Sequence, residues 1–176
     1  QGIIHRDLTP SNIMLEGSHC FVMDFGLAKA QDAQSSLLTY MGDVIGTTAY
    51  MSPEQIQGQP LDARSDLYAF GCLLYWLVTG RAPFAGKTLA TLVRAHTQQP
   101  PDVPSRHNGL VPTVLDELVV NLLAKAPGDR YASASQVLTS LRQMVKQLEQ
   151  ASATETSKSS NQPGSANLQL AQLSTS

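Results

Sequence analysis

His5-Arg6-Asp7-Leu8-Thr9-Pro10-Ser11-Asn12, followed twelve residues after Asn12 by Asp24-Phe25-Gly26, decides how this chain is read. An aspartate and an asparagine stand five residues apart on a segment with a proline and few helix formers, so the segment reads as a loop. Between the two stretches lie the apolar runs Ile13-Met14-Leu15 and Cys20-Phe21-Val22-Met23, separated by the turn chemistry of Glu16-Gly17-Ser18-His19. That pattern predicts a β-hairpin. Its antiparallel strands bring Asn12 at the entry close to Asp24 at the exit, the geometry that a shared metal site needs. Taken singly, Asn12 reads as a turn cap and Asp24 as a turn start. With His5-Arg6-Asp7 ahead of them they read as parts of one site.

The 176 residues are enough for one domain with a real core. Hydrophobic residues make up 42% and charged residues 15%, and the net charge is −2, so no bulk electrostatic argument favours nucleic acid or an anionic membrane. Cys20 and Cys72 lie far apart without metal spacing and are expected reduced and buried, which fits a cytoplasmic setting. The apolar run from Leu67 to Val78 is too short to span a bilayer and predicts a buried core helix. The chain opens on Gln1 with no basic-then-apolar leader, and Gly2-Ile3-Ile4 reads as the end of an earlier element. The expectation is a segment of a longer protein whose beginning has been lost.

Residues 27–52 are small and polar with no sustained period, a long loop of the kind that is usually functional or disordered. A short helix is expected behind Pro53. The helix over Leu67–Val78 is expected to start from Ser65 as N-cap and to stop at Gly80, with Trp76 as core filler. A further helix is expected over Lys87–Thr97. Val114, Leu115, Leu118, Val119, Leu122 and Leu123 form the stripe of an amphipathic helix. Ser133 is expected to cap a last helix carrying Val137, Leu138, Leu141, Met144, Val145 and Leu148. Residues 150–176 are Ser-, Thr-, Gln- and Ala-rich without aromatics, and are expected to be a disordered tail or linker behind a domain of residues 1–149. His19, His96 and His107 have no partner spacing.

Four separated motifs agree in order. They are His5-Arg6-Asp7 with Asn12, Asp24-Phe25-Gly26, Gly46-Thr47 with Ser52-Pro53-Glu54, and Asp66 with Gly71 in the hydrophobic helix; Arg130 is a fifth match. Together they resemble the C-terminal lobe of a bacterial eukaryotic-like (Hanks-type) serine/threonine protein kinase. The resemblance implies a mainly α fold, a helical lobe with a small hairpin at the active site, with the N-terminal lobe absent. It implies transfer of the ATP γ-phosphate to Ser or Thr hydroxyls of protein substrates, with ATP and Mg²⁺ as cofactors. Asp7 would take or orient the acceptor's proton. Asn12 and Asp24 would hold Mg²⁺, for which hard oxygen ligands are suited. Gly26 would let the chain turn after Asp24. Thr47 would favour Ser/Thr acceptors. Arg6 would pair with a phosphate on the long loop, Thr39 first and Ser35, Ser36 or Thr48 behind it, placed there in trans by a second kinase molecule. His5 would pack on Phe25, Asp66 would hold the loop backbone, and Glu54 and Arg130 would form a buried ion pair.

Two features depart from the family pattern. Thr9 stands where lysine is usual, so a hydroxyl replaces a charge aimed at the transferring phosphate. The chain itself contains no Gly-rich phosphate loop and no strand lysine. A non-catalytic scaffold is therefore one alternative. A small-molecule phosphotransferase is another, against which the Gly46-Thr47 and Ser52-Pro53-Glu54 segment speaks. The location implied is cytoplasmic, with any membrane anchor outside this chain.

Overall fold

The computed structural model describes residues 3–25 and 48–159, with side chains as far as Ser152. Two units divide the chain, residues 1–141 and 142–176. In the first, a 3-10 turn over Pro10–Asn12 leads into strands β1 (Ile13–Glu16) and β2 (His19–Val22). The strands pair antiparallel with Ile13 opposite Val22 and Glu16 opposite His19. Gly17 turns the hairpin at φ 59°, a conformation open to glycine without steric cost. Helices follow: α1 (Pro53–Ile56), α2 (Ala63–Thr79), α3 (Leu89–Gln98), α4 (Thr113–Leu122) and α5, which starts at Ala134. The domain is mainly helical with one small sheet among the described residues.

The core lies where α2 packs on α4. Leu67, Tyr68, Cys72, Leu73 and Tyr75 of α2 are buried, as are Leu115, Leu118, Val119 and Leu122 of α4 and Leu123 beside it. Gly71 permits the close approach, because a Cβ there would stand 2.8 Å from the Leu122 Cβ. Gly80 ends α2 in the left-handed conformation at φ 72°. Below these, α3 packs against α1, carrying Leu92, Ala95 and His96 inward.

Several expectations change. The N-cap of α2 is Asp62, whose carboxylate accepts the Arg64 N–H. Ser65 is already inside the helix, and its hydroxyl donates to Glu54 instead. Trp76 is 39% exposed rather than core filler, and Leu77 beside it is exposed too. An all-apolar helix announces burial but not which side receives neighbours, and here the packed side is the one bearing Tyr68, Cys72 and Tyr75. Cys20 is exposed on β2, while Cys72 is buried. Helix α3 starts at Leu89 with a Thr88–Thr91 capping box, two residues later than expected. On α4 the expected stripe is buried except Val114. Ser133 accepts the Gln136 N–H ahead of α5, and Val137 is buried while Leu138 is exposed.

The second unit continues α5 to Ser159. Residues 150–159 are thus helical where a tail was expected. Ala151, Ala153, Glu155 and Lys158 are good helix formers, and nothing in that stretch breaks a helix already started. Residues 160–176 of the expected tail lie outside the described residues, as do Gly26, the loop with Ser35, Ser36 and Thr39, and Gly46-Thr47.

Candidate active site

Backbone bonds alone do not shape residues 5–12; side chains from distant elements hold them. Asp66, in the first turn of α2, accepts two consecutive amides, His5 N–H at 2.7 Å and Arg6 N–H at 2.9 Å. Arg6 sits at φ 68°, a left-handed conformation that side chains other than glycine, asparagine and aspartate seldom adopt. The carboxylate offsets that strain by fixing the two amides that lead into the Arg6 turn.

The buried His5 ring spans the loop and the hairpin exit. Its Nδ1 accepts the Asp7 N–H at 3.3 Å, so the proton stands on Nε2, which donates to the Met23 carbonyl at 2.8 Å. The Phe25 ring lies 4.9 Å from it, centre to centre. Met23 N–H in turn donates to the Asn12 carbonyl at 2.8 Å. The hairpin register therefore brings Asn12 and the Asp24 turn together, and Asp24 itself turns at φ 55°. Asn12 reaches back to the loop: its Nδ2 donates to the Asp7 carbonyl at 2.8 Å and to Asp7 Oδ2 at 3.4 Å. Using the amide nitrogen this way leaves Oδ1 as the atom of Asn12 presented to a cation. Asn12 and Asp24 thus offer hard oxygens from two ends of one hairpin, a donor set that fits Mg²⁺.

Thr9 is only 7% exposed. Its hydroxyl pairs with the Ser11 hydroxyl at 2.8 Å, and its carbonyl accepts the Asn12 N–H at 3.0 Å. It serves the turn that carries Asn12.

Glu54 and Arg130 meet as a two-pronged pair, Nη1 to Oε1 at 2.7 Å and Nη2 to Oε2 at 2.8 Å, both residues buried. The rest of the guanidinium donates to the carbonyls of Ala124, Arg64 and Lys125, and Ser65 donates to Glu54. Burial pushes the Glu54 carboxyl up, but the bonds from Arg130, the backbone and Ser65 outweigh it and hold it below the usual range.

Two residues hold the loop through contacts that were not legible in the sequence. One is His5, through its pair of hydrogen bonds. The other is Gln55, whose Nε2 donates to the Arg6 carbonyl at 2.7 Å across 49 residues; no local signal points to it. The roles expected for Thr39 and Thr47 concern residues outside those described.

A family model described as Protein kinase domain matches residues 1–141. The chain belongs to the protein kinase domain family. It is 47% identical over 145 residues to a probable serine/threonine-protein kinase of Corynebacterium efficiens, covering 80% of this chain and 22% of that protein. It is 44% identical over 150 residues to the probable serine/threonine-protein kinase PknB of Corynebacterium glutamicum, covering 82% of this chain and 23% of that one. The serine/threonine-protein kinase PknB of Mycobacterium tuberculosis is 44% identical over 142 residues, with 80% of this chain and 22% of that protein covered. The chain thus spans between a fifth and a quarter of the length of the relatives it matches. No helix among the described residues is long and apolar enough to cross a membrane.

Proposed function

We propose that this chain is the C-terminal, catalytic-loop half of a serine/threonine protein kinase that transfers the γ-phosphate of ATP to protein hydroxyls. The observation that carries the reading is the joint placement of Asp7, Asn12 and the Asp24 turn by His5, Asp66 and the hairpin register. In this reading Asp7 accepts or orients the proton of the acceptor hydroxyl. Asn12 holds Asp7 through its amide nitrogen and offers Oδ1, with Asp24, to Mg²⁺. Bound Mg²⁺ would neutralise the phosphate charge that develops on transfer. Thr47 selects Ser/Thr acceptors. Arg6 receives a phosphate placed on Thr39 in trans by a second kinase molecule. The hairpin exposes Met14, Leu15, Phe21, Val22 and Met23, an apolar surface that supports a nucleotide-binding lobe standing over it. By itself the chain then binds Mg-ATP weakly, and the working kinase is the longer protein, with its catalytic domain in the cytoplasm where ATP is.

The buried Thr9 hydroxyl favours a second reading, a non-catalytic scaffold. Phosphate transfer by the intact protein to Ser/Thr peptides separates the two. Asp7→Asn should lower turnover by about 10²–10⁴-fold, the usual worth of general acid–base catalysis. Thr9→Lys should raise turnover, since one charge aimed at the transition state is worth about 2–4 kcal/mol. Nucleotide binding without transfer would leave the scaffold.

A further inference from the structure

We propose that Gln55 is a positioning residue for phosphoryl transfer, coupling the segment that ends at Ser52-Pro53-Glu54 to the peptide carrying Asp7. The inference rests on the kinase reading above and adds to it a residue whose role lies in a single amide group.

Gln55 is the third residue of α1 and completes its capping box. Its Oε1 accepts the Ser52 N–H at 3.0 Å, while its own N–H donates to the Ser52 hydroxyl at 3.3 Å. A capping box needs only an acceptor at this position, and glutamate serves as well as glutamine. Glutamate would also suit the positive end of the helix better. Glutamine gives up that charge and presents a donor instead. That donor, Nε2, reaches the Arg6 carbonyl at 2.7 Å. The amide's orientation follows from both contacts, because a flip would set Nε2 against the Ser52 N–H and Oε1 against the Arg6 carbonyl.

The far end of this bond is the most strained peptide of the loop. Arg6 turns at φ 68°. Its N–H is held by Asp66, and Gln55 is what holds its carbonyl. Asp7 follows directly, and its own N–H is on His5. With both ends of Arg6 fixed, the direction of Asp7 is set. With one released, the Arg6–Asp7 peptide can relax toward an unstrained conformation and rotate the aspartate away. Gln55 therefore ties the backbone of Ser52 to that of Arg6, so a shift in the segment before α1 reaches Asp7 through one side chain.

Gln55→Glu in the intact kinase isolates this role, since it keeps the cap and turns the donor into a repelling acceptor. The expected result is an unchanged Tm and an unchanged KM for ATP. Turnover on a Ser/Thr peptide at pH 8 should fall on the order of 10- to 100-fold, the scale of a misplaced catalytic group. Equal turnover at pH 8 overturns the proposal. If Gln55→Glu does not fold, Gln55→Met is read for the same split of kcat from KM, and wild-type kcat there overturns it. A wild type that transfers no phosphate sinks the kinase reading instead. Amide exchange at residues 6–8 then still decides the coupling: faster exchange in Gln55→Glu supports it, and unchanged exchange removes it.

Discussion

Arg130 and Lys125 both lie over the ring of Tyr68, at 4.9 Å and 5.7 Å, yet their surroundings could hardly differ more. Arg130 has a carboxylate, Glu54, matched to it prong for prong, and three carbonyls take its remaining protons. Among the described residues Lys125 has no such partner. Its ammonium donates to the Ala95 carbonyl at 3.3 Å and the Tyr68 hydroxyl at 3.5 Å, and stands 4.0 Å over the Phe84 ring. Beyond Tyr68 lies His96, 0% exposed, with Nδ1 at 3.0 Å from the Tyr68 hydroxyl. A lysine donating to that hydroxyl leaves its proton for His96 Nδ1, which puts the imidazole proton on Nε2. Among the described residues Nε2 has no hydrogen-bonded partner, though the Met51 backbone is near enough to favour the protonated ring.

The contrast is between a buried charge that is answered and one that is merely accommodated. Burial brings the Lys125 pKa down to about 8, against a pull from Cys72 that is larger than the added repulsion from Arg130. Burial and the Lys125 charge together bring His96 down to about 4, against the pull of Met51. Where a counter-charge is built in, the folded state gains from ionisation. Where it is missing, the folded state resists it.

Arg130→Met should be the most damaging change, costing about 3–5 kcal/mol in denaturant unfolding, because it strands Glu54 without a partner. Adding Glu54→Gln to it should recover part of the loss; a double variant no better than the single one would erase the distinction drawn between the two clusters.

Acid comes next. His96 has a folded pKa below its unfolded one, so the unfolded chain takes up the proton first. Stability is complete above about 6.5 and falls as pH drops from 6.5 to about 4. At about 1.36 kcal/mol per pKa unit the loss is up to about 3 kcal/mol. Glu54 acts in the same direction, but its carboxyl is held below the usual glutamate range, so its contribution is lost only at more acid pH. Unfolding of wild type and His96→Gln measured between pH 7 and 5 should show the slope in wild type alone; parallel curves would place the acid sensitivity elsewhere.

The exposed Asp62–Arg64 pair gives the smallest effect. Asp62→Ala should cost about 1 kcal/mol, nearly all of it the lost cap of α2. Added salt should change that cost little, since solvent already screens the ion pair. A strong salt dependence would mean that surface charge matters here as much as buried charge.

Much of the site was legible because its spacing is local. Asn12 and Asp24 flank a hairpin whose turn and alternation are written in residues 13–23, and pairing them needs only that register. The Asp66 and Glu54–Arg130 bonds entered through family resemblance, since no spacing rule links residues 60 or 76 positions apart. Trp76 and Cys20 were misjudged for a related reason: residue type sets a preference for burial, but neighbours decide it, and neither side chain faces the α2–α4 contact.

Helix positions, the hairpin and the order of polar motifs followed from the sequence alone, because they depend on periodicity and on turn chemistry over a few residues. Only the tertiary structure decided which side of α2 is covered, that Ser65 serves Glu54 rather than a cap, that His96 is enclosed beside Lys125, and that Gln55 reaches Arg6. Each of those depends on where two distant stretches of backbone come to rest, and that is set by the packing of the whole helical core.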